Sequence, residues 1–347
     1  MKSTARVLAL ALSAIVSLAK EDSIPAPQSP NTPSGATASN IVAVTQSFLA
    51  TLSDAQRAKG LFDFKDEQQR KRWSNLPTPL FQRAGLRLGD LTKAQREAAM
   101  NILAVITSRQ GYEKVTRIIE AEEALKHSDH PTNLIFGSDE FYLSVLGTPS
   151  TRDPWLLQFG GHHLALNITI IGDQDVLTPS LVAVQPASYT VEGKTIRPLG
   201  RENDKAFALI NALDAPQRKQ AILDSQMRDL VLGPGQDGRT IQPEGIKASA
   251  LDQKQQAMLL DLVTEWVGII NDGAAAAKMA EIKKELAETW FAWSGPTENG
   301  RPAYFRIQGP TVIIEYAPQG IFGDATQHIH TMYRDPTNDY GKKLLKP

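Results

Sequence analysis

Cysteine is absent from the 347 residues of this chain. Its absence excludes a disulfide framework and a lipid anchor on an N-terminal cysteine, so the fold must be held by its hydrophobic core. An excess of charge of one sign is also missing, because 37 basic residues stand against 38 acidic ones and the formal net charge is −1. No cluster of lysine or arginine with interleaved aromatic residues occurs, so nucleic acid is not expected as a partner.

Several catalytic signatures are absent as well. The chain has no Gly-x-Ser-x-Gly elbow, no phosphate-binding loop, no Gly-x-Gly-x-x-Gly after a strand and no His-Glu-x-x-His. What remains is an ordinary globular composition, with 41% hydrophobic and 22% charged residues. The length is enough for one large domain or two.

The first 19 residues are typical of a secretory signal peptide. Lys2 and Arg6 precede a short apolar run, and Ser17-Leu18-Ala19 provides a small-x-small cleavage site. The alternative is an uncleaved helical anchor, but the run is too short to span a bilayer. We therefore expect an exported protein, periplasmic or extracellular, with no membrane span after cleavage. Residues 20–40, rich in Pro, Ser and Thr, predict a flexible linker.

Four short motifs predict the starts of helices. Each consists of a leucine, a capping residue, two spacers and a glutamine, and the capping residues are Ser53, Thr92, Asp214 and Asp252. The distance along the chain between the first two motifs is nearly the same as that between the last two. This spacing suggests two similar helix pairs.

The remaining pattern predicts a single α+β domain over residues 41–347. Helical periodicity covers 92–126, with an interruption around Gly111, and also 201–232, 252–271 and 274–290. Gly233-Pro234-Gly235 and Asn271-Asp272-Gly273 are expected to end two of these helices. The strands occur in blocks joined by short turns, and one more strand is expected within 174–186. These blocks predict an antiparallel sheet with helices packed on one side.

The order of these blocks also fits an internal duplication, with halves at 41–190 and 201–341. Each half has a helix pair, two strands and a pair of histidines. Superposing the strand blocks aligns Gln158 with Glu315 and Phe159 with Tyr316, and it puts the histidine pairs in equivalent positions. The alternative is that capping boxes and strand turns recur without a common origin.

Four of the six histidines lie in two short segments. After Gly160-Gly161, the alternating run predicts a strand on which His163 shares a face with Asn167 and His162 points to the opposite, leucine-bearing face. His328 and His330 are two residues apart, so on a strand their side chains leave one face ~6.5 Å apart. His163, His328 and His330 are therefore the favoured metal ligands. His162 is a further candidate, although a core histidine is the alternative there.

Other polar residues complete the predicted site. Glu315 lies in an apolar strand, where a carboxylate is costly unless it is paired or coordinated, so it is a candidate ligand or general base. Its alternative is an outward-facing position. Arg334 and Asp335 are candidates to hold an anionic substrate group or to pair with each other. The residues expected to line the pocket are Asn167, Gln158, Gln308 and Asp335, whereas His127 and His130 are interpreted as structural residues at a helix C-terminus.

These residues suit a divalent transition metal: Zn, Fe, Cu, Mn or Ni. An ion with an open position would activate water for hydrolysis or bind O₂ for oxidation of a small-molecule substrate. The alternative is a non-catalytic ligand-binding or scaffold protein whose histidines stabilise the sheet. The sequence identifies neither the substrate nor the oligomeric state.

Four strings extend a resemblance over most of the chain: 158–167 (QFGGHHLALN), 291–297 (FAWSGPT), 304–316 and 328–341. In these strings the sequence resembles the bacterial and fungal domain-of-unknown-function family 3500, from about Val42 to Gly341. The resemblance implies membership of that family and export by a signal peptide. It implies no activity.

Overall fold

The computed structural model describes residues 37–128, 133–321 and 323–345. The predicted signal peptide lies outside these residues, as does His130. The predicted linker ends earlier than expected, because a helix already begins at Ala38 with Thr37 as its N-cap. The helices are α1 (Ala38–Ala50), α2 (Asp54–Gly60), α3 (Glu67–Arg70), α4 (Lys93–Ile106), α5 (Arg109–Lys126), α6 (Gly200–Ala212), α7 (Ala215–Ala221), α8 (Gln253–Val267) and α9 (Asp272–Lys284).

All four predicted helix starts are confirmed. Ser53, Thr92, Asp214 and Asp252 each cap a helix, and in every case a glutamine three residues later completes a capping box. These boxes satisfy backbone N–H groups that the first helical turn leaves without partners.

The glutamines of the capping boxes also join the helices in pairs. The side-chain amides of Gln56 and Gln95 donate to each other's oxygen at 3.1 Å, which ties α2 to α4. Gln217 and Gln255 repeat this exchange at 2.9 and 2.8 Å between α7 and α8. The recurring sequence motif therefore serves both to start a helix and to dock it.

The helical stretch predicted over 92–126 is broken at a different point from the one expected. It consists of α4 and α5, separated at Thr107–Ser108, and Ser108 caps α5. Gly111 lies inside α5, where a Cβ atom would come within 2.1 Å of the carbonyl oxygen of Ile269. The glycine thus permits close packing and does not interrupt the helix.

Two further helix predictions are corrected. The stretch 201–232 forms α6 and α7. Between Ala221 and residue 232 the chain has no helix and instead forms an irregular cover over the sheet. Gly233-Pro234-Gly235 lies within that cover. The segment Asn271-Asp272-Gly273 starts a helix where it was expected to end one. The Asn271 side chain accepts a hydrogen bond from Ala274 N as the N-cap of α9.

A large mixed sheet forms the centre of the protein. Its strands are β1 (Leu61–Phe62), β2 (Leu86–Arg87), β3 (Tyr142–Leu146), β4 (Trp155–Gly160), β5 (Leu164–Ile171), β6 (Gln174–Val176), β7 (Ser180–Val184), β10 (Ile246–Lys247), β11 (Trp290–Ser294), β12 (Tyr304–Gln308), β13 (Ile313–Pro318) and β14 (Ile329–Arg334). A separate hairpin consists of β8 (Tyr189–Val191) and β9 (Lys194–Ile196). The strand order is β1-β3-β4-β5-β7-β14-β13-β12-β11-β10, with β2 beside β3 and β6 beside β5. The α+β class is confirmed, but the sheet is not wholly antiparallel, because β1 pairs with β3 in parallel.

One face of the sheet carries the main hydrophobic core. Leu166 of β5 and Val182 of β7 pack there with Ile102 of α4 and Trp266 of α8. The Trp266 indole N–H also donates to Thr331 Oγ1 of β14 at 2.9 Å. Helices are thus packed on this face, as the sequence predicts.

The opposite face is covered by two irregular segments, 63–85 and 223–245. Trp73 of the first segment packs against Ala165, Leu181 and Met332. The second segment is held by Arg334, whose guanidinium donates to the carbonyls of 232 and 233 at 2.8 and 3.0 Å. Side chains on this face are therefore buried although no long helix covers them.

The two halves of the sheet have the same strand order on either side of the β7–β14 pair. The cross-strand pair Gln158–Asn167 occupies the place that Arg306–Glu315 occupies in the other half. The predicted alignment of Gln158 with Glu315 is therefore displaced by one strand, and the two histidine pairs are not in equivalent positions. An origin by duplication stays a prediction.

Asp175 of β6 provides a test of this packing through pH. One carboxylate oxygen accepts a hydrogen bond from Asn271 Nδ2 at 2.6 Å, while the other is buried without a partner. Burial raises the pKa of Asp175 to about 6. Because the folded state holds this proton more tightly than the unfolded chain, the contribution of Asp175 to stability is fully present below about pH 4 and is lost as pH rises through about 6.

We expect Asp175→Asn to stabilise the protein at pH 7.5 by about 1 kcal/mol, which allows for partial exposure, and much less at pH 4. Thermal unfolding at both pH values measures the difference. Asp224→Asn, at an exposed position elsewhere in the chain, removes the same charge as a control. An equal gain at both pH values for Asp175→Asn would contradict this account.

Candidate metal centre

Strand pairing places three histidines at one end of the sheet. The backbone carbonyl of His163, just before β5, accepts a hydrogen bond from Ala183 N at 2.8 Å. Ala183 of β7 is in turn the cross-strand partner of His330 in β14. His328 immediately precedes β14, two residues from His330. The register of β5, β7 and β14 thus brings together residues that are distant in sequence.

The imidazole rings of these histidines converge through their Nε2 atoms. His163 Nε2 lies 3.2 Å from His328 Nε2, which lies 2.9 Å from His330 Nε2. All three side chains are buried, at 1%, 5% and 5% exposure. The candidate ligand atoms all lie within 4.8 Å of one another.

The Nδ1 side of each ring meets a different group. His163 Nδ1 lies directly against Glu122 Oε1 of α5. His328 Nδ1 is 3.5 Å from the carbonyl oxygen of Ile321, and His330 Nδ1 is 3.1 Å from the side-chain amide nitrogen of Asn75. Such outer contacts fix the orientation of imidazole rings and are typical of histidines that bind metals.

His162 belongs to the Glu122 side of the cluster. Its Nδ1 lies 3.3 Å from Glu122 Oε1, and its ring is 3.6 Å from that of His163. The prediction that His162 and His163 point to opposite faces of a strand is wrong, because both lie in a bend before β5. Gly160 and Gly161 make this bend possible: a Cβ atom on Gly160 would come within 2.2 Å of the carbonyl oxygen of Leu164.

Burial governs the protonation of the cluster. It lowers the pKa of His163 to about 4 and that of His328 to about 3, with further lowering from neighbouring histidines, and it lowers the pKa of His330 well below its usual range. Burial alone would raise the pKa of Glu122, but His163 and His162 outweigh this effect and lower it. His163, His328 and His330 are therefore neutral imidazoles, and the Glu122 carboxylate against His163 is ionised.

Two overlapping groups of side chains could hold a metal ion. One is His163, His328 and His330, and the other is Glu122, His162 and His163. All members are buried. Neutral imidazole nitrogens and carboxylate oxygens are ordinary ligands of divalent transition metals.

Glu315 does not join these groups. Its carboxylate accepts hydrogen bonds from Val231 N at 2.8 Å, Leu232 N at 2.7 Å and the Tyr304 hydroxyl at 2.7 Å. All three donors belong to the covered face of the other half of the sheet. Glu315 therefore anchors the segment 223–245, and its buried charge is balanced by hydrogen bonds and not by an ion.

Arg334 and Asp335 also have structural partners. Arg334 Nη1 pairs with Asp237 and Asp339, both at 2.9 Å. Asp335 accepts from Lys278 Nζ at 2.6 Å, so the two residues do not pair with each other. Neither side chain is available to an anionic substrate group in this arrangement.

The predicted pocket residues form hydrogen bonds elsewhere on the sheet. Gln158 Nε2 donates to Asn167 Oδ1 at 2.8 Å, and Asn167 Nδ2 donates to the carbonyl of Pro179 at 2.8 Å. Gln308 Nε2 donates to the carbonyl of Ile241 at 2.8 Å. The structure thus brings together the four strand-associated histidines but not Glu315, Arg334 or these amides.

Sequence reasoning missed Glu122, Asn75 and Ile321. Glu122 had a detectable signal, because it lies on the same helical face as Ile118 and Ile119, and a carboxylate on an apolar face needs a partner. Asn75 and the Ile321 carbonyl are in irregular segments, where no periodicity reveals which groups turn inward.

Fold and site together define an α+β protein with a buried histidine centre able to hold a metal ion. Residues 34–342 match a protein-family model described as protein of unknown function (DUF3500), and the chain belongs to that family. Searches of curated proteins and of solved structures found no match. Within the described residues, no helix is both long enough and apolar enough to cross a membrane.

The role of Glu315 can be tested by Glu315→Gln. An amide cannot accept all three hydrogen bonds as a carboxylate does, so we expect the free energy of unfolding to fall by about 2 kcal/mol. Urea denaturation measures this loss. Glu298→Gln, at an exposed position in the turn after β11, is a control that should change stability by less than about 0.5 kcal/mol. An unchanged midpoint for Glu315→Gln would show that its three contacts do not hold the cover segment.

Proposed function

We propose that His163, His328 and His330 bind one divalent transition metal ion through Nε2, and that the protein is a metal-dependent hydrolase. The observation that carries this proposal is the mutual approach of the three Nε2 atoms in a buried site. Because the leader sequence predicts export, we place this activity outside the cytoplasm and expect a small-molecule substrate.

The outer contacts of His163 and His328 favour protons on Nδ1, which would leave the lone pairs of these two rings on Nε2. Nδ1 of His163 contacts the ionised carboxylate of Glu122, which favours a proton on that nitrogen, and Nδ1 of His328 lies 3.5 Å from a carbonyl oxygen. Asn75 can present its amide oxygen to His330 if the side-chain amide is flipped. With the protons on Nδ1, three Nε2 lone pairs point at one another, and such lone pairs repel unless a cation lies between them.

The spacing of the nitrogens fits a shared ion. Histidine nitrogens bind zinc at ~2.0–2.1 Å, so two ligands of one tetrahedral ion lie about 3.3 Å apart. The measured separations of 3.2 and 2.9 Å agree with this geometry. Little rearrangement would be needed to admit the ion.

Hydrolysis is the chemistry best matched to these ligands. Among the described residues no fourth His, Asp or Glu side chain joins the three histidines, so water would complete the coordination of an ion held there. Three neutral ligands preserve the charge of a divalent ion, and zinc in such a site lowers the pKa of its bound water to about 7. Zn is therefore the first candidate, and Mn, Ni, Fe and Cu are the others. Fe or Cu would point to oxidation of the substrate.

Glu122 acts as a positioning residue in this proposal. Its carboxylate meets Nδ1 of His163 and so directs Nε2 towards the other two rings. It also connects the metal site to α5, which packs on the helical face of the sheet. A ligand held in this way loses little freedom when the ion binds.

The alternative is a non-catalytic protein in which the histidines, with or without an ion, stabilise the end of the sheet. The burial of all three rings favours this alternative, because a catalytic ion must be reached by substrate. Metal analysis and an activity screen against ester, amide and phosphoester substrates separate the two functions.

The first experiment measures metal content in the purified full chain after loading with Zn, Mn, Fe, Ni or Cu. We expect about one ion per chain in the wild type and less than a tenth of that in the His328→Ala, His330→Ala variant. His127→Ala removes an exposed histidine at the end of α5 and should keep the full content. Failure of the wild type to retain any of the five metals would refute the proposal, as would full retention by the double variant.

The second experiment tests the part played by Glu122. In Glu122→Gln we expect about tenfold weaker metal affinity with unchanged stoichiometry, because an amide is a poorer acceptor for Nδ1–H. His162→Phe keeps a ring against His163 but has no nitrogen, and we expect its affinity to stay within about threefold of wild type. Competition with a chelator measures both. A larger loss in His162→Phe than in Glu122→Gln would assign the ion to the second group of ligands.

A further inference from the structure

We infer that the substrate carries an apolar group, such as an acyl chain or an aromatic ring, and that Leu76, Leu80, Ile135 and Ile321 bind it. We call these four side chains the apolar rim. The inference rests on the proposed function, because it concerns the substrate of the same metal centre.

The apolar rim contains the large hydrophobic side chains that stand out as exposed in the described part of the chain. Leu76 is 45% exposed, Leu80 57%, Ile135 50% and Ile321 58%. Scattered exposure of single residues would need no explanation, but these four come from three segments that contact the histidine cluster or one another. Exposed apolar groups gathered around one site are typical of a binding surface.

Each loop that carries a rim residue also contacts a histidine of the centre. Asn75, next to Leu76, contacts His330, and the carbonyl of Ile321 faces His328. The third loop does so through Phe136, whose ring lies 5.2 Å from that of His162. Two of the rim segments therefore contact proposed ligands, His330 and His328, and the third contacts His162 beside them.

The loops are also joined to one another. Ile135 N donates to the carbonyl of Thr78 at 2.8 Å, which connects the loop of Ile135 to that of Leu76 and Leu80. Arg83 Nη2 donates to the carbonyls of Ser74 and Leu76 at 2.8 and 2.7 Å. These bonds hold the rim segments in place without using their side chains.

The rim segments lack charge. Residues 75–81, 133–137 and 316–321 contain no Asp, Glu, Lys or Arg, in a chain in which 22% of residues are charged. Within these three segments a charged substrate group would find no partner, and Arg83, just after the first segment, already donates to the carbonyls of Ser74 and Leu76. The rim favours an apolar group, with the reactive bond placed towards the metal.

The experiment uses the full chain loaded with Co(II), whose visible spectrum reports ligands that enter the metal site. Acetohydroxamate, hexanohydroxamate and octanohydroxamate bind metals with the same head group and differ only in the apolar tail. We expect affinity to rise about twofold per added methylene, which is roughly half the gain for full burial, and at least tenfold from the shortest to the longest.

Variants assign this gain to the rim. Leu80→Ser and Ile321→Ser should each reduce the advantage of octanohydroxamate by about threefold or more and leave acetohydroxamate unchanged. The conservative variants Leu80→Met and Ile321→Val should retain the advantage. Because both positions are exposed, the serine variants should fold as the wild type does, and circular dichroism checks this.

Three results would overturn the inference, in distinguishable ways. Equal affinity for all three hydroxamates would remove the apolar substrate but leave the metal site standing. Absence of a bound-cobalt spectrum would remove the metal site and the substrate inference together. If affinity does not change with tail length and Leu80→Ser abolishes binding to vesicles, the rim binds a lipid surface. If affinity does not change with tail length and Leu80→Ser abolishes a dimer, the rim binds a second copy of the chain.

Discussion

The pairing of β7 with β14 is the interaction on which the rest of the structure depends. It joins the two halves of the sheet, and it continues the hydrophobic core beneath both sets of helices. The same pairing sets Ala183 opposite His330, while Ala183 also holds the backbone of His163. A slip of one residue in this register would turn His330 towards the helical core and separate it from His163. Fold and site thus share one constraint.

The sequence predicts those features that depend on local chemistry. The four capping boxes are found where Ser, Thr or Asp precedes glutamine by three positions, because the hydrogen bonds involved lie within one helical turn. The α+β class follows from the blocks of periodicity in the same way. The gathering of the histidines was expected from their pairing in sequence, although the strand assigned to His162 and His163 proved to be a bend.

Apart from the gathering of the histidines, features that depend on long-range contacts were not predicted. Glu122 and Glu315 illustrate this. Both are carboxylates in apolar surroundings, and the apolar strand around Glu315 made it the candidate ligand in place of Glu122. The donors to Glu315 come from residues 231 and 232, in a segment without periodicity. The histidines beside Glu122 arrive from a strand end some forty residues further along the chain. A carboxylate in an apolar stretch of sequence indicates that a partner is needed, but the identity of that partner depends on the contacts of the folded chain.

The distance along the chain between the converging histidines has a consequence for a protein without cysteine. His163 and His328 are separated by 165 residues, so an ion held by both would close a loop of nearly half the chain. Cross-links across long loops restrict the unfolded ensemble most strongly, in the chain-entropy view that is usually applied to disulfides. A metal at this position would therefore act as a reversible cross-link. The stabilisation it provides would depend on the free ion concentration and not on the redox state of the surroundings.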